Sequence, residues 1–224
     1  MWGGGGPAAA PAQTGAAVYG SAGDIWNGIA DSMLSFSDYP YGVSASGLAL
    51  NYANGSASSV TLSIQGTATQ SATYDNFNPN WGSSSAFAGT SVANLMQSVY
   101  LESAGPSTVT LSGLTPSSAY DLVLYAAGNG SAGGRVTTYN VNGVVQTCTY
   151  DGGNTLTAGV TYVEYPTAET DASGNLVINL GAGPALESDL NGFQLQAVAV
   201  PEPTALALLG VAGMMVSFFR RKVA

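Results

Sequence analysis

The sequence predicts an all-β fold: a two-sheet jelly-roll sandwich with one short helix, followed by a hydrophobic helix near the C-terminus. Short apolar segments alternate with polar residues at period two, and Gly or Asn turn signals separate them. The chain of 224 residues contains 30 Gly and only 8% charged residues, a composition that favours turn-rich β structure. Disorder fits poorly, because 46% of the residues are hydrophobic and 12 are Tyr.

About eight to ten strands are predicted, each as a short segment bounded by turn residues. They lie at residues 48–52, 60–64, 109–111, 120–125, 136–141, 144–150, 162–165, 176–180 and 193–200. Asn142-Gly143 joins two of these segments and is the strongest short hairpin signal in the chain. The segment Tyr120–Tyr125 is mostly apolar, which predicts a strand buried on both faces.

One short helix is predicted within the sandwich, from Ser91 to Glu102. Val92, Leu95, Met96 and Val99 recur at the i, i+3, i+4 and i+7 positions that share one face of a helix. This helix is expected to pack over one end of the sandwich.

The chain divides into three parts by composition. Residues 1–15 are mostly Gly, Pro and Ala and are predicted to be a flexible leader, whereas residues 16–200 are long enough for one core and form the sandwich. Residues 201–224 form a C-terminal signal with a membrane-spanning segment at 204–219. The start has no basic n-region and no apolar h-region. If the tail is a sorting signal, a secretory signal should precede it, and the genomic sequence upstream of Met1 would show whether one is present.

Charge and missing residue types exclude several classes of function. The chain has 13 Asp and Glu but only four Lys and Arg, and of these four only Arg135 precedes residue 220. So few cations cannot neutralise phosphates, which excludes nucleic-acid binding. The absence of His excludes Ser-His and Cys-His nucleophile pairs as well as His-ligated zinc.

Paired carboxylates are the remaining catalytic candidates. Glu187 with Asp189, or Glu164 with Glu169, could flank a glycosidic bond in a divergent glycoside hydrolase or lyase. Acidic residues are usually exposed and solvated instead. We therefore expect no catalytic residue and a non-enzymatic protein, and keep the two-carboxylate enzyme as an alternative.

The C-terminal end combines a short segment whose backbone is restricted by two prolines, an apolar stretch and a cluster of basic residues. Pro201 and Pro203 hold Glu202 in an extended, protease-accessible context. The apolar residues 204–219 would span on the order of 24 Å as a helix, slightly short of a bilayer core of about 30 Å. The basic residues that follow can snorkel and would stay in the cytoplasm, which leaves the bulk of the chain outside.

This end resembles the PEP-CTERM sorting signal of exported bacterial proteins. The matching residues are Pro201, Glu202 and Pro203, the apolar run and the pair Arg220-Arg221. The resemblance implies that an exosortase-type membrane enzyme recognises the Pro-Glu-Pro region and removes the tail. The protein would then pass from the inner membrane to the cell surface or the extracellular matrix. An ordinary C-terminal membrane anchor is the alternative.

The predicted sandwich carries a second resemblance. Leu114-Thr115-Pro116 followed by Tyr120 resembles the corner of fibronectin type III sandwiches, where the Tyr hydroxyl ties back to the preceding turn. With Tyr139–Gly143 and Leu190–Leu195 added, the domain is more similar to the galactose-binding-like jelly rolls of bacterial surface proteins.

The galactose-binding-like resemblance implies a structural Ca²⁺ site near the chain ends, built from loop carbonyls and carboxylates. Asp24 near the start of the fold and Glu187 or Asp189 before the last strand occupy comparable places. Ca²⁺ takes about six to eight oxygen ligands, which these carboxylates and nearby carbonyls could supply. Solvated loop acids without a metal are the alternative.

Carbohydrate binding is predicted for a polar loop rich in Asn and aromatic residues. Sugars dock on aromatic faces while amides and carboxylates bind their hydroxyl groups. Tyr74, Asn76 and Trp81 are the candidate contacts, and Trp26 is a lesser option. The alternative is that these aromatic residues cap the core of the sandwich.

Together these patterns predict an exported, non-enzymatic surface or matrix protein that is sorted through its C-terminal signal. The second hypothesis is a carbohydrate-binding module that acts on extracellular polysaccharide. Specific binding to a glycan would favour the module over a purely structural role.

Overall fold

The structure, a computed structural model, describes residues 2–3, 13–28, 33, 35–38, 41–66, 76–78, 86–97, 99–103, 107–127, 134–182 and 187–198. These residues form strands with almost no helix. The elements in chain order are β1 (Trp2–Gly3), β2 (Ser35–Asp38), β3 (Tyr41–Asn51), β4 (Ala57–Gly66), β5 (Asn76–Asn78), α1 (Ala93–Gln97), β6 (Val99–Ser103), β7 (Ser107–Ser112), β8 (Ala119–Tyr125), β9 (Arg135–Val141), β10 (Val144–Tyr150), β11 (Tyr162–Glu169), β12 (Leu176–Ala182), β13 (Glu187–Leu190) and β14 (Gly192–Ala197).

Two main sheets make up the fold, and their neighbouring strands pair antiparallel. The larger sheet has seven strands in the order β10-β9-β12-β7-β4-β3-β2, and the smaller has four in the order β1-β14-β8-β11. A small third sheet has the order β13-β6-β5. The predicted all-β class with two sheets is confirmed, while the jelly-roll and galactose-binding-like assignments stay predictions.

The main core lies between the two large sheets. Leu122 and Leu124 of β8 in the four-stranded sheet pack in one buried cluster with Leu62, Leu111 and Ile178 of the seven-stranded sheet. All five side chains are almost completely buried. Each such leucine or isoleucine stabilises the fold by about 1.5–3 kcal/mol relative to leaving it exposed, so this interface holds the sandwich together.

A second core covers the opposite face of the four-stranded sheet. Val123 and Tyr125 alternate with the leucines of β8 and therefore point to this other face. They pack against Trp26, Phe87 and Leu95, which arrive from the N-terminal segment and from the residues around α1. The prediction that this strand is buried on both faces is confirmed.

The hairpin between β9 and β10 follows from its turn residues. Asn142 and Gly143 both have positive φ, 53° and 81°, and Val141 pairs with Val144 across them. A two-residue turn of this kind needs positive φ at both central positions, which Asn and Gly adopt most readily. The predicted Asn-Gly hairpin is confirmed.

The predicted tyrosine corner is also present. The Tyr120 hydroxyl accepts a hydrogen bond from the Thr115 backbone N–H at 3.0 Å, so it ties the head of β8 to the preceding turn. Gly113 in that turn has φ +82°, and a Cβ there would overlap the Ser59 carbonyl oxygen. The turn therefore depends on glycine for both its conformation and its close approach to β4.

The predicted helix is shorter than expected. It covers Ala93–Gln97, and the residues that follow form β6, which pairs with β13. The buried positions Val92, Leu95 and Met96 keep the helical spacing. Pairing with a distant strand overrides the local helical pattern beyond Gln97, so the extension of the helix to Glu102 is corrected.

Three described residues of the predicted leader, residues 1–15, contact the sandwich. Trp2–Gly3 pairs with β14, and Gln13 is buried with its amide bonded to the Ser91 carbonyl and to the Leu95 N–H. The division of the chain at residues 15 and 200 stays a prediction.

Candidate functional site

A cleft of about 520 Å³ opens along one edge of the sandwich, where the end of β14 faces β3, β4 and β7. Its apolar floor lies between the two main sheets. The floor is formed by Leu50, Val60, Leu111, Leu114, Phe193 and Leu195. Hydroxyl, amide and carboxylate groups surround this floor, which is the pattern of a small-molecule site with a few polar anchors.

The rim of the cleft combines one exposed aromatic ring with amides. Tyr52 is 55% exposed, and Asn51 and Gln196 are exposed beside the same opening. An aromatic face next to amide donors and acceptors suits the alternating apolar and hydroxyl surfaces of a sugar ring. The rim thus carries the same types of side chain, an aromatic ring and amides, on which the prediction of carbohydrate binding at Tyr74, Asn76 and Trp81 rests.

One wall of the cleft is formed by the N-terminal strap, residues 13–26, which crosses the four-stranded sheet on its outer face. The buried side-chain amide of Gln194 on β14 binds the strap through two hydrogen bonds to the backbone of Tyr19. It accepts a hydrogen bond from the Tyr19 N–H at 3.1 Å and donates one to the Tyr19 carbonyl oxygen at 2.9 Å. Nearby, the Val18 N–H donates to the Tyr125 hydroxyl at 3.0 Å.

The strap places the Tyr19 hydroxyl between two carboxylates. This hydroxyl lies 3.0 Å from Asp121 Oδ2 and in hydrogen-bond contact with Glu164 Oε1. Glu164 and Gln194 are both paired with Val123, on either side of β8, so the register aligns them in one row across the sheet. The other carboxylate oxygen of Asp121, Oδ1, is buried and has no hydrogen-bond partner among the described residues.

Burial, hydrogen bonds and the charges of the two carboxylates determine the electrostatics of this group. Burial raises the pKa of the Asp121 carboxyl above its ordinary value, the hydrogen bond from Tyr19 opposes this, and the charge of Glu164 adds to it. Burial and hydrogen bonds to both carboxylates raise the pKa of Tyr19 well above the phenol range. The phenol therefore keeps its proton throughout the physiological pH range.

The structure separates Glu164 and Glu169, one of the two predicted carboxylate pairs. Glu164 and Glu169 lie five residues apart on β11, about 16 Å along an extended strand, whereas glycosidase carboxyls stand about 5–9.5 Å apart. Glu164 instead meets Asp121, and the Tyr19 hydroxyl fills the space between them. A sugar cannot occupy that space while the strap is in place.

Asp189, a member of the second predicted pair and of the predicted Ca²⁺ site, is engaged with a cation. Its Oδ1 lies 3.2 Å from Nη1 of Arg135, and its side chain is only 2% exposed. Asp24 lies in the strap, where its carboxylate accepts a hydrogen bond from the Ser21 N–H at 2.8 Å. Of Glu187 the structure describes only the backbone position in β13.

Among the described residues, no three Asp, Glu, Cys or His side chains come together in a way that could hold a metal ion. The Ca²⁺ site at Asp24, Glu187 and Asp189 stays a prediction. To bind Ca²⁺, the Asp189 carboxylate would have to give up its ion pair with Arg135, which makes Asp189 a poor ligand for calcium.

The loop predicted to bind carbohydrate lies largely outside the described residues. Tyr74 and Trp81 are among the residues that the structure does not describe, and Asn76 is placed only as the first residue of β5. Trp26, the lesser option, is buried in the second core, where its indole N–H donates to the Gly15 carbonyl oxygen at 2.9 Å. For Trp26 the alternative of a core-capping aromatic is the correct one.

Sequence reasoning did not single out Tyr19, Asp121 or Gln194 as members of one group. A signal for Asp121 was present, since it is the one charged residue inside the apolar segment Tyr120–Tyr125. The partners of Tyr19 lie more than 100 residues away along the chain, so no local pattern could join them.

The C-terminal signal lies outside the described residues, and its predicted segment 204–219 with it. In the part of the chain that the structure does describe, no helix is long and apolar enough to cross a membrane. No curated protein gives a significant match to the chain. The family model of the PEP-CTERM protein-sorting motif matches residues 199–222.

The matched range contains every residue of the predicted signal: Pro201, Glu202, Pro203, Arg220 and Arg221. A motif of this kind implies export, membrane-associated sorting by an exosortase and then the cell surface. Residues 199–222 of this chain therefore match a PEP-CTERM protein-sorting motif, and the residues that the structure describes before it form an all-β fold.

Proposed function

We propose that this chain is a non-enzymatic protein of the cell surface or extracellular matrix, released from the inner membrane by exosortase cleavage near Pro201–Pro203. The sorting motif at 199–222 is the observation that carries the proposal. The folded part adds support, because Glu164 is engaged by Tyr19 and Asp189 by Arg135. Both are thereby held in structural contacts rather than presented to a substrate.

Mass spectrometry of the extracellular form tests the processing step. Fragments covering residues up to about 200 are expected, and the peptide Phe218–Ala224 is expected to be absent, because the tail is a transfer signal and not a lasting anchor. The same peptide should be present in cells that lack the exosortase. Recovery of Phe218–Ala224 in surface-exposed protein would leave a plain membrane anchor in place of the sorting signal.

The cleft supports a second candidate function, binding of extracellular polysaccharide. Its exposed Tyr52 ring, its amides and its apolar floor form a surface that a sugar could stack on and bond to. In line with this function, we propose that the sandwich is of the galactose-binding-like jelly-roll type. The tyrosine corner at Tyr120 and the two antiparallel sheets support that assignment.

A glycan array probed with the full-length chain in detergent tests this second function. Tyr52→Ala should weaken binding to any bound glycan about tenfold or more, the effect of losing about 1.4 kcal/mol of stacking and contact. Tyr52→Phe keeps the ring and should bind like the wild type. Val144→Ala removes an equally exposed apolar side chain on the β9–β10 hairpin, outside the cleft, and should have no effect. Equal binding by wild type and Tyr52→Ala would rule out this rim as the glycan site.

A further inference from the structure

The Tyr19 hydroxyl has two carboxylate neighbours but only one hydrogen. It lies in hydrogen-bond contact with Asp121 Oδ2 and with Glu164 Oε1. A phenol donates one hydrogen bond, and an ionised carboxylate only accepts. Both contacts are therefore satisfied only if one of the two carboxyl groups is itself protonated and donates to the phenol oxygen.

Asp121 is the carboxyl group that fits the protonated state. Its Oδ1 is buried without a hydrogen-bond partner among the described residues, which is far costlier for a carboxylate than for a neutral acid. A proton on Oδ2 would donate to Tyr19, and the Tyr19 hydrogen would then go to Glu164. The raised pKa of Asp121, caused first by burial and then increased by the charge of Glu164, agrees with this assignment.

The other groups that face the cluster do not neutralise it. Among the described residues, the further titratable groups on this face are Tyr125 from β8 and Tyr162 from β11. Burial raises the pKa of the Tyr125 phenol above its ordinary value. Gln194 from β14 is an uncharged amide. The one basic residue that precedes residue 220, Arg135, is paired with Asp189.

We infer that a proton held within the Asp121–Tyr19–Glu164 cluster fastens the N-terminal strap to the four-stranded sheet, and with it one wall of the cleft. Tyr19, Gly20 and Asp24 of the strap line the cleft directly. When the proton leaves, two carboxylates face one phenol across a short distance, and their repulsion loosens the strap at Tyr19. The cleft wall is thus closed in mild acid and free to open as the pH rises.

The direction of the pH dependence follows from the raised pKa. The folded protein holds the Asp121 proton more tightly than the unfolded chain, so the contribution is complete below the ordinary carboxyl pKa of about 3.9. It is lost progressively as the pH rises through the higher pKa of the folded state. Above that pH the strap is held only by its remaining contacts, chiefly the Gln194 amide and the bond from Val18 to Tyr125.

Hydrogen exchange of the full-length chain in detergent, followed by mass spectrometry from pH 3.5 to pH 8, tests the inference. The reporters are the Val18 and Tyr19 amides, corrected for the intrinsic pH dependence of exchange. Their protection should be highest below the ordinary carboxyl pKa of about 3.9 and about threefold or more lower at pH 8, because the proton of the raised carboxyl is lost in between. Protection that is constant or increases with pH would overturn the proposal.

Two variants and a matched control separate the cluster from general charge effects. Asp121→Asn supplies a permanent donor to the Tyr19 oxygen without a negative charge, so strap protection should stay high and independent of pH. Tyr19→Phe removes the hydroxyl and should abolish the pH dependence, with lower protection at pH 3.5; it also serves if the Asp121 variant does not fold. Glu169→Gln removes one negative charge from exposed Glu169, at the other end of β11, and should behave like the wild type. Loss of the pH dependence in Glu169→Gln would assign the effect to net charge and refute the cluster.

Discussion

Replacing Arg135 with Met is expected to lower the free energy of unfolding by about 3–5 kcal/mol, because it leaves a buried carboxylate without its cation. The Arg135 side chain is 13% exposed and that of Asp189 only 2%, with 3.2 Å between Nη1 and Oδ1. Water therefore cannot replace the lost partner of Asp189. Urea denaturation of the full-length chain in detergent, followed by circular dichroism, measures the effect.

A double variant tests whether the loss comes from the uncompensated charge. Arg135→Met combined with Asp189→Leu removes both charges and should recover most of the lost stability, since apolar replacements of buried ion pairs are often neutral or stabilising. Asp151→Asn, which changes an exposed carboxylate, serves as the single-charge control. A loss below about 1 kcal/mol for Arg135→Met would mean that the pair behaves like an exposed salt bridge.

Tyr125→Ala should destabilise the protein by about 3–5 kcal/mol, the usual cost of removing a buried aromatic side chain. Tyr125 is fully buried in the second core, where its ring lies 6.2 Å from those of Trp26 and Tyr162. Its hydroxyl donates to Gln194 and accepts from Val18. The variant thus removes both the packing of the ring and the hydrogen bonds of the hydroxyl that attach the strap. Urea denaturation measures the combined loss in the free energy of unfolding.

Tyr125→Phe separates these two parts, because it keeps the ring and removes only the hydroxyl. It should cost about 1–3 kcal/mol, the penalty of leaving buried polar partners unsatisfied. Tyr52→Ala removes a tyrosine that is 55% exposed and should change stability by less than about 0.5 kcal/mol. If Tyr125→Ala cost no more than Tyr52→Ala, the second core would not belong to the cooperative fold.

Local features of the sequence were sufficient to predict several elements of the fold. Asn142-Gly143 specifies its hairpin because both residues readily take the positive φ that the turn needs. Tyr120 and Thr115 are only five residues apart, so their corner is visible in one short motif. The sorting motif at 199–222 is likewise contiguous, and its recognition needs no tertiary structure.

The end of the short helix shows where local patterns fail. Leu95 and Met96 are buried at helical spacing as predicted, yet Val99–Ser103 is a strand. Its partner β13 lies more than 80 residues further along the chain. The hydrogen bonds of that ladder exist only after the chain has folded, so no window of sequence contains them.

By itself, the sequence determined that this protein is an all-β chain with a C-terminal sorting motif, because strand periodicity, turn residues and the motif are all local. Only the tertiary structure determined which side chains surround the cleft and the strap that forms its wall. Tyr19 meets Asp121, Glu164 and Gln194 because three neighbouring strands align those side chains beneath the strap. All three partners lie more than 100 residues from Tyr19 along the chain, so their burial around it and the mutual charge of the two carboxylates exist only in the folded protein.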